Sequence, residues 1–213
     1  MTQKKKVFIL VACLALMLIG TMTTLAYFTD QEKATNTFTV GKVYIDLDEA
    51  DVDDSTPNAD RDQENKYHLL PGQTYTKDPI VHVLADSEEC YVYVTVDNQI
   101  SDIECDDKGY KNIAVQMAEN NWEPLKDEKG QQVLKDNKHV YVYKAVVAKN
   151  KTQNTDLLVF ANFKIDGEKG TNESLKKHNE KDSAIVVNAY AIQAVGFDNA
   201  FHAWSTASGA FTN

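Results

Sequence analysis

Cysteine, clustered positive charge and every common catalytic motif are scarce in this 213-residue sequence, and each shortage closes off a class of function. Three cysteines occur and no two form a Cys-x-x-Cys pair, so neither a dithiol redox motif nor a zinc knuckle is supported. Five histidines are present: His68, His82, His139, His178 and His202. None is followed by Glu and no two lie four apart. That removes the helical His-Glu-x-x-His arrangement, which sets two zinc ligands on one face beside a general base. The serine elbow, the phosphate-binding loop and the Gly-x-Gly-x-x-Gly fingerprint are absent as well. Lys and Arg number 22 against 32 Asp and Glu, a net charge of −10. Phosphate backbones demand clustered cations, so no nucleic-acid partner is expected.

What is there begins with residues 1–26. Lys4, Lys5 and Lys6 make a basic start, Val7 to Ile19 is apolar, and a Thr-rich stretch ends in Thr24-Leu25-Ala26. This is the order of a secretory signal peptide, with cleavage expected after Ala26 and the bond after Tyr27 as the near variant. An uncleaved anchor is the poorer fit. Thirteen apolar residues rise about 20 Å as a helix, against a hydrocarbon core of about 30 Å. Leu10-Val11-Ala12-Cys13 has the look of a lipoprotein box, yet a cut before Cys13 leaves only six apolar residues ahead of it. Export removes three lysines, takes the net charge from −10 to −13, and leaves an acidic, soluble chain that draws cations to its surface.

Cys90 and Cys105 remain in the exported chain. An even count permits one disulfide closing a loop of about 15 residues, worth about 3 kcal/mol. Two unpaired thiols are the other reading.

Apolar residues alternate with polar ones through Phe38, Val40, Val43, Ile45 and Leu47, the period of a half-buried strand. Further strands are expected at Ile80–Leu84, Cys90–Val96, His139–Ala148, Leu157–Ile165 and Ile185–Ala194, with weaker ones at Ile113–Met117 and around Trp122. Leu69-Leu70-Pro71-Gly72 is a turn signal, Lys126–Asn137 and Gly167–Asp182 read as polar turns, and Asn199–Ser205 suggests one short helix. Crossover helices are missing, so the expected fold is all-β: an antiparallel two-sheet β-sandwich. The organisation is then a signal peptide at 1–26, an N-terminal segment at 27–40, and a β domain at 41–213 with an acidic loop at 46–65.

Thr24–Glu49 carries a family resemblance. Leu25-Ala26-Tyr27-Phe28-Thr29-Asp30 is followed by Thr35-Asn36-Thr37-Phe38-Thr39-Val40-Gly41-Lys42-Val43 and then by Ile45-Asp46-Leu47-Asp48-Glu49. This resembles the N-terminus of the TasA/camelysin family of secreted Gram-positive proteins, whose precursors are cut by the signal peptidase SipW. A second match is Leu70-Pro71-Gly72 with Thr76-Lys77-Asp78 and the Val-rich strand after it. The resemblance covers roughly the first hundred residues; beyond them only the β pattern is compatible. It implies a jelly-roll-like β-sandwich and a cell-surface or biofilm-matrix role, in which the mature N-terminal segment completes a neighbour's sheet to build fibres. Here the donor would be Tyr27–Val40, anchored by Phe28, Phe38 and Val40, adding to an exposed edge through backbone hydrogen bonds. The same segment pairing within its own domain is the alternative. The resemblance therefore implies the export peptidase, further copies of the chain and a surface or matrix polymer as partners. Camelysin-type relatives carry a metallopeptidase label, which the histidine spacing does not support. A monomeric adhesin or ligand-binding module is the third reading.

Asp46, Asp48, Asp51, Asp53, Asp54, Asp60 and Asp62 form the densest carboxylate cluster. Calcium favours such hard oxygen donors, with Asp46, Asp48, Asp51 and Asp53 as weak candidates. The EF-hand's central Gly and closing Glu are missing, so a solvated acidic loop is the first reading and no other cofactor is expected. Tyr91 and Tyr93 on one strand, with Tyr141 and Tyr143 on another, read as cross-strand packing before a ligand-stacking face. Trp122 and Trp204 read as core. No Leu-Pro-x-Thr-Gly motif stands at Ser208–Asn213, so covalent wall anchoring is not expected.

Overall fold

Period-2 alternation with both sets of side chains covered marks the strand Cys90–Asn98. Val92 and Val94 are fully buried on one face, and Tyr93 and Thr95 are as well buried on the other. A strand apolar on both faces needs a packed layer on each side, and that requirement organises the rest of the chain.

The computed structural model describes residues 43–53, 61–107, 109–181 and 183–211. The expected signal peptide with its cleavage residues Ala26 and Tyr27, and the expected donor segment with Phe28, Phe38 and Val40, lie outside them. In chain order the elements are β1 (Ile45–Asp48), β2 (Thr74–Thr76), β3 (Ile80–Val83), β4 (Cys90–Asn98), α1 (Ile113–Glu119), β5 (Trp122–Pro124), β6 (Leu134–Lys135), β7 (Lys138–Tyr143), β8 (Thr155–Leu158), β9 (Asn162–Lys164), α2 (Asn172–Glu180), β10 (Ile185–Gln193) and α3 (Ala200–Ala207). Strand outweighs helix, and every pairing is antiparallel. The smaller sheet runs β1-β3-β8; the larger runs β10-β4-β7-β5, with β6 hairpinned onto β7; β2 and β9 pair separately.

One core cluster draws on both sheets. Val81, Val83 and Leu157 of the smaller share it with Val92, Val94 and Trp122 of the larger, together with Phe160 and Phe163. The opposite face of the larger sheet buries Tyr93, Val140, Val142 and Ile192 beneath Ala203 and Trp204 of α3. The Trp204 ring sits 4.9 Å from Tyr93 and 5.5 Å from Tyr190, centroid to centroid. The Tyr93 hydroxyl donates to the Ala200 carbonyl at 2.8 Å, so its burial leaves no polar group unpaired.

Three sequence expectations are corrected. Ile113–Met117 is helix, not strand: Asn112 caps it by accepting from the Val115 N–H, and Ile113, Gln116 and Met117 are buried at helical spacing. The apparent alternation came from Val115, which the helix leaves 45% exposed. Gly167–Asp182 holds α2 rather than turns alone, with Thr171 capping through the Ser174 N–H, Glu173 in the first turn and Lys177 and His178 in the last. Leu157–Ile165 is broken into β8 and β9, which join different sheets. The short C-terminal helix is where expected, capped by Asn199. So is the Pro71-Gly72 turn, where Gln73 donates to the Leu70 carbonyl and Gly72 takes the positive φ (74°) that favours glycine at this place in a turn. Among the described residues no helix is long and apolar enough to cross a membrane.

Because α3 covers the larger sheet chiefly through one indole, Trp204→Ala should lower stability by about 3–5 kcal/mol. Urea unfolding followed by far-UV circular dichroism measures this; a cost below about 1 kcal/mol would mean that the indole does not hold the helix.

Candidate functional site

The outward face of the smaller sheet carries a charged ladder. Along β1, Ile45 and Leu47 pack against the core while Asp46 and Asp48 point away. On β3, Val81 and Val83 are buried, which turns His82 outward. His82 stands directly opposite Asp156 of β8 and diagonal to Asp48 of β1. Its Nδ1 lies 2.7 Å from Asp156 Oδ1 and its Nε2 lies 3.1 Å from Asp48 Oδ1, so one imidazole spans all three strands. Burial alone would lower the His82 pKa, but the carboxylates of Asp156 and Asp48 outweigh it and raise the value above the ordinary one. Burial would likewise raise Asp48, yet its contacts with Arg61 and His82 hold it below the usual carboxylate range. Arg61 pairs with Asp48 through Nε and with Asp78 through Nη1 at 3.0 Å.

Behind the ladder lies a buried ion pair. Lys77 Nζ meets Glu49 Oε2 at 2.5 Å, with both residues less than a tenth exposed, and Asn65 donates to the other Glu49 oxygen at 3.1 Å. Asp78 also accepts from the Ala50 N–H at 2.7 Å. The Asp46–Glu49 block and the Lys77–Asp78 block, remote in sequence, are thus joined directly by Lys77–Glu49 and through Arg61 by Asp48 and Asp78.

The four calcium candidates do not gather. Asp46 and Asp48 belong to β1, so the acidic loop begins after the strand rather than at 46. Asp46 accepts from the Leu47 N–H, and Asp48 is held by Arg61 and His82. Asp51 and Asp53 instead approach Asp62, with carboxylate oxygens within 4.8 Å of one another. Partial burial and the charges of Asp51, Glu49 and Asp53 raise the Asp62 carboxyl. A second donor group, Cys105, Asp107 and Asp166, was not foreseen. Among the described residues neither group includes a histidine, so neither fits a His-bearing zinc centre of the peptidase kind.

Cys90 and Cys105 are both buried and unpaired, so the disulfide is not formed. Cys90 exchanges backbone hydrogen bonds with Val147 at one end of β4, whereas Cys105 lies beyond the other end, donating to the Lys164 carbonyl. Nine extended residues at about 3.3 Å each separate the two ends, far outside disulfide reach. Burial, with the Glu89 charge, pushes the Cys90 thiol up to about 12. The tyrosine strip is not a single face either. Tyr91 and Tyr93 face α3, while Tyr141 and Tyr143 face the inter-sheet core, because Tyr93 is opposite Val142 and Val94 opposite Tyr141.

The larger sheet ends in an edge the sequence did not single out. The nine residues of β10, Ile-Val-Val-Asn-Ala-Tyr-Ala-Ile-Gln, contain no charge, proline or glycine. Gln99 donates to the Ala184 carbonyl and Ala194 to the Glu89 carbonyl, so ladder bonds to β4 fall on even-numbered residues. The N–H and C=O of Val187, Ala189 and Ala191 therefore turn away from β4, and no strand among the described residues pairs with them. Edges are ordinarily blunted by lysine, proline, bulges or shortness; β10 has neither residue and is long. β1 treats its edge differently. At Leu47 the outer N–H is taken by the Asp46 side chain and the C=O by Gln63.

Comparison of the chain with protein families, curated proteins and solved structures finds no match.

His82 carries a raised folded pKa, so its ladder stabilises fully below the unfolded value near 6.5 and the contribution is lost as pH rises through the folded value. Relative to His82→Gln, the wild-type chain should gain about 1 kcal/mol in mildly acidic buffer and nothing above about pH 9, by chemical denaturation. Both thiols should be silent to a thiol reagent in the native state, and both should react after unfolding without reductant; no reaction on unfolding would mean a disulfide.

Proposed function

We propose that this chain is an exported cell-surface or biofilm-matrix structural protein that self-associates by strand addition, with its mature N-terminal segment as donor. The observation that carries the reading is the β10 edge. It is long and uncharged, and it turns three successive outward N–H and C=O pairs away from β4. An extended segment laid along such an edge gains backbone hydrogen bonds for affinity and alternate side-chain contacts for register. The donor is Tyr27–Val40, with Phe28, Phe38 and Val40 as anchors, cut free after Ala26. The resemblance of Thr24–Glu49 and Leu70–Asp78 to the TasA/camelysin family supports both export and a matrix role. The Lys77–Glu49 ion pair is consistent with it, since it ties together the two stretches that carry the resemblance. In this reading the fold is a jelly-roll-like β-sandwich, supported by the core cluster common to both sheets. Its partners are the export peptidase, further copies of the chain and a surface polymer, and no cofactor takes part.

Light scattering and electron microscopy on the chain from Tyr27, beside one from Gly41, test the reading. Fibres or oligomers should form from the longer chain only. Ala189→Pro removes an outward N–H that β4 does not use, so it should leave the domain folded and abolish assembly. If both wild-type chains remain monomeric and folded, self-assembly is overturned and a monomeric surface-binding module takes its place.

A further inference from the structure

A concavity of about 290 Å³ lies where β4 ends, bounded by the loop after that strand, by α1 and by β7. One side is apolar, made by Val96, Ile113, Met117 and the half-buried ring of Tyr141. The other is polar, with Asn98, Ser101, Asp106 and Glu104. Glu104 is only 8% exposed. Its Oε1 accepts from the Ile113 N–H and its Oε2 from the Asn98 amide, both at 2.8 Å, and no cation among the described residues pairs with it. Asp106 differs, because Lys169 Nζ already sits 2.6 Å from it.

A buried carboxylate whose partners among the described residues are two neutral donors, and which lines an open cleft, favours a cation there. We propose that this cleft binds a primary ammonium carried on a short apolar stem, with Glu104 as counter-ion and Tyr141, Met117 and Ile113 along the stem. The competing chemistries fit less well. An anion would face two carboxylates, and a neutral apolar ligand would leave Glu104 uncompensated. A guanidinium docks best as a fork on two free carboxylate edges, whereas each Glu104 oxygen already spends a lone pair on a protein donor. A point-like ammonium needs only the remaining lone pairs and can also donate to the Ser101 hydroxyl. The volume lies just below the range for ligand clefts, about 300–1,000 Å³, which suits one flexible stem and not a larger molecule. The Tyr141 face adds attraction for a cation, and methylene groups cover the apolar side as they do along a lysine stem. Such an ammonium could belong to a free amine or to a lysine side chain.

Titration of the exported chain with n-pentylamine, followed by amide chemical shifts, is the test. Saturable shifts should appear in the 98–106 loop and α1, while 1-pentanol and valerate, matched in length, produce none. Glu104→Gln should weaken amine binding about tenfold or more, as expected for loss of a charge-assisted contact. Nα-acetyl-lysinamide separates the two sources: binding as tight as the amine's assigns a lysine side chain, and failure beside a binding amine assigns a free amine. Should the glutamine variant not fold, the wild-type chain still decides. Binding must weaken as pH falls from about 7 to about 4 and Glu104 takes up a proton. The titratable groups that bear on Glu104 are Asp106, with its partner Lys169, and Tyr110, while Asp102 in the same loop is paired with His178 and Lys177. Asp106→Asn should therefore retain the pH dependence. No shifts with pentylamine, equal shifts with pentanol, or pH-independent binding would each overturn the proposal.

Discussion

The constraint on which the domain rests is the burial of both faces of β4. One face places Val92 and Val94 in the cluster shared with the smaller sheet. The other places Tyr93 beneath Trp204. A one-residue slip against β10 or β7 would carry each set to the wrong layer, setting phenol rings against the valine core and valines against the helix. Register along the larger sheet is therefore fixed by packing on two sides at once. The paired positions follow suit: Ala189 and Ala191 accompany the inward valines, while Tyr190 and Ile192 accompany Tyr93.

Much of this was legible in the sequence, and the failures have physical causes. β4 and β10 declare themselves because β-branched and aromatic residues dominate them and neither contains proline or glycine. α3 is read from its capping Asn199 and an apolar face. The stretch 113–117 deceives because Val115 imitates a strand position, although only the helical set of Ile113, Gln116 and Met117 is buried. α2 escapes notice because a single apolar residue, Leu175, ties it to the core, and polar caps give weak signals without hydrophobic period. Sites were harder to read than strands. Composition marked the aspartates between 46 and 62 as one cluster, whereas the strand boundary divides them. Asp48 on β1 serves a cross-strand ladder, whereas Asp51, Asp53 and Asp62 face one another. Which carboxylate meets which base depends on pairings between β1, β3 and β8, and no local pattern encodes those.

The two edges near the N-terminal entry make opposite use of the same backbone chemistry. β1 lies against β10, yet it occupies its outer groups with Asp46 and Gln63, while β10 leaves its own free among the described residues. Arg61 ties Asp48 of β1 to Asp78, and the Glu49–Lys77 pair fixes the residue that follows the strand. Removal of one member of the buried pair would strand a charge, at a cost of about 3–5 kcal/mol, so the position of β1 is firmly set.

The order of the strands also governs when the domain can exist. β4 is paired with β10, joining Cys90 to Gln193 and Asn98 to Ile185 across most of the intervening chain. A polypeptide emerging from its N-terminus can cover the Val92–Val94 face of β4 with β3 and β8, but the Tyr93 face stays bare until β10 and α3 have followed. Contacts so distant in sequence close slowly, on the millisecond-to-second scale typical of β-rich topologies. The larger sheet is therefore complete only once the last strand and the helix that follows it are in place.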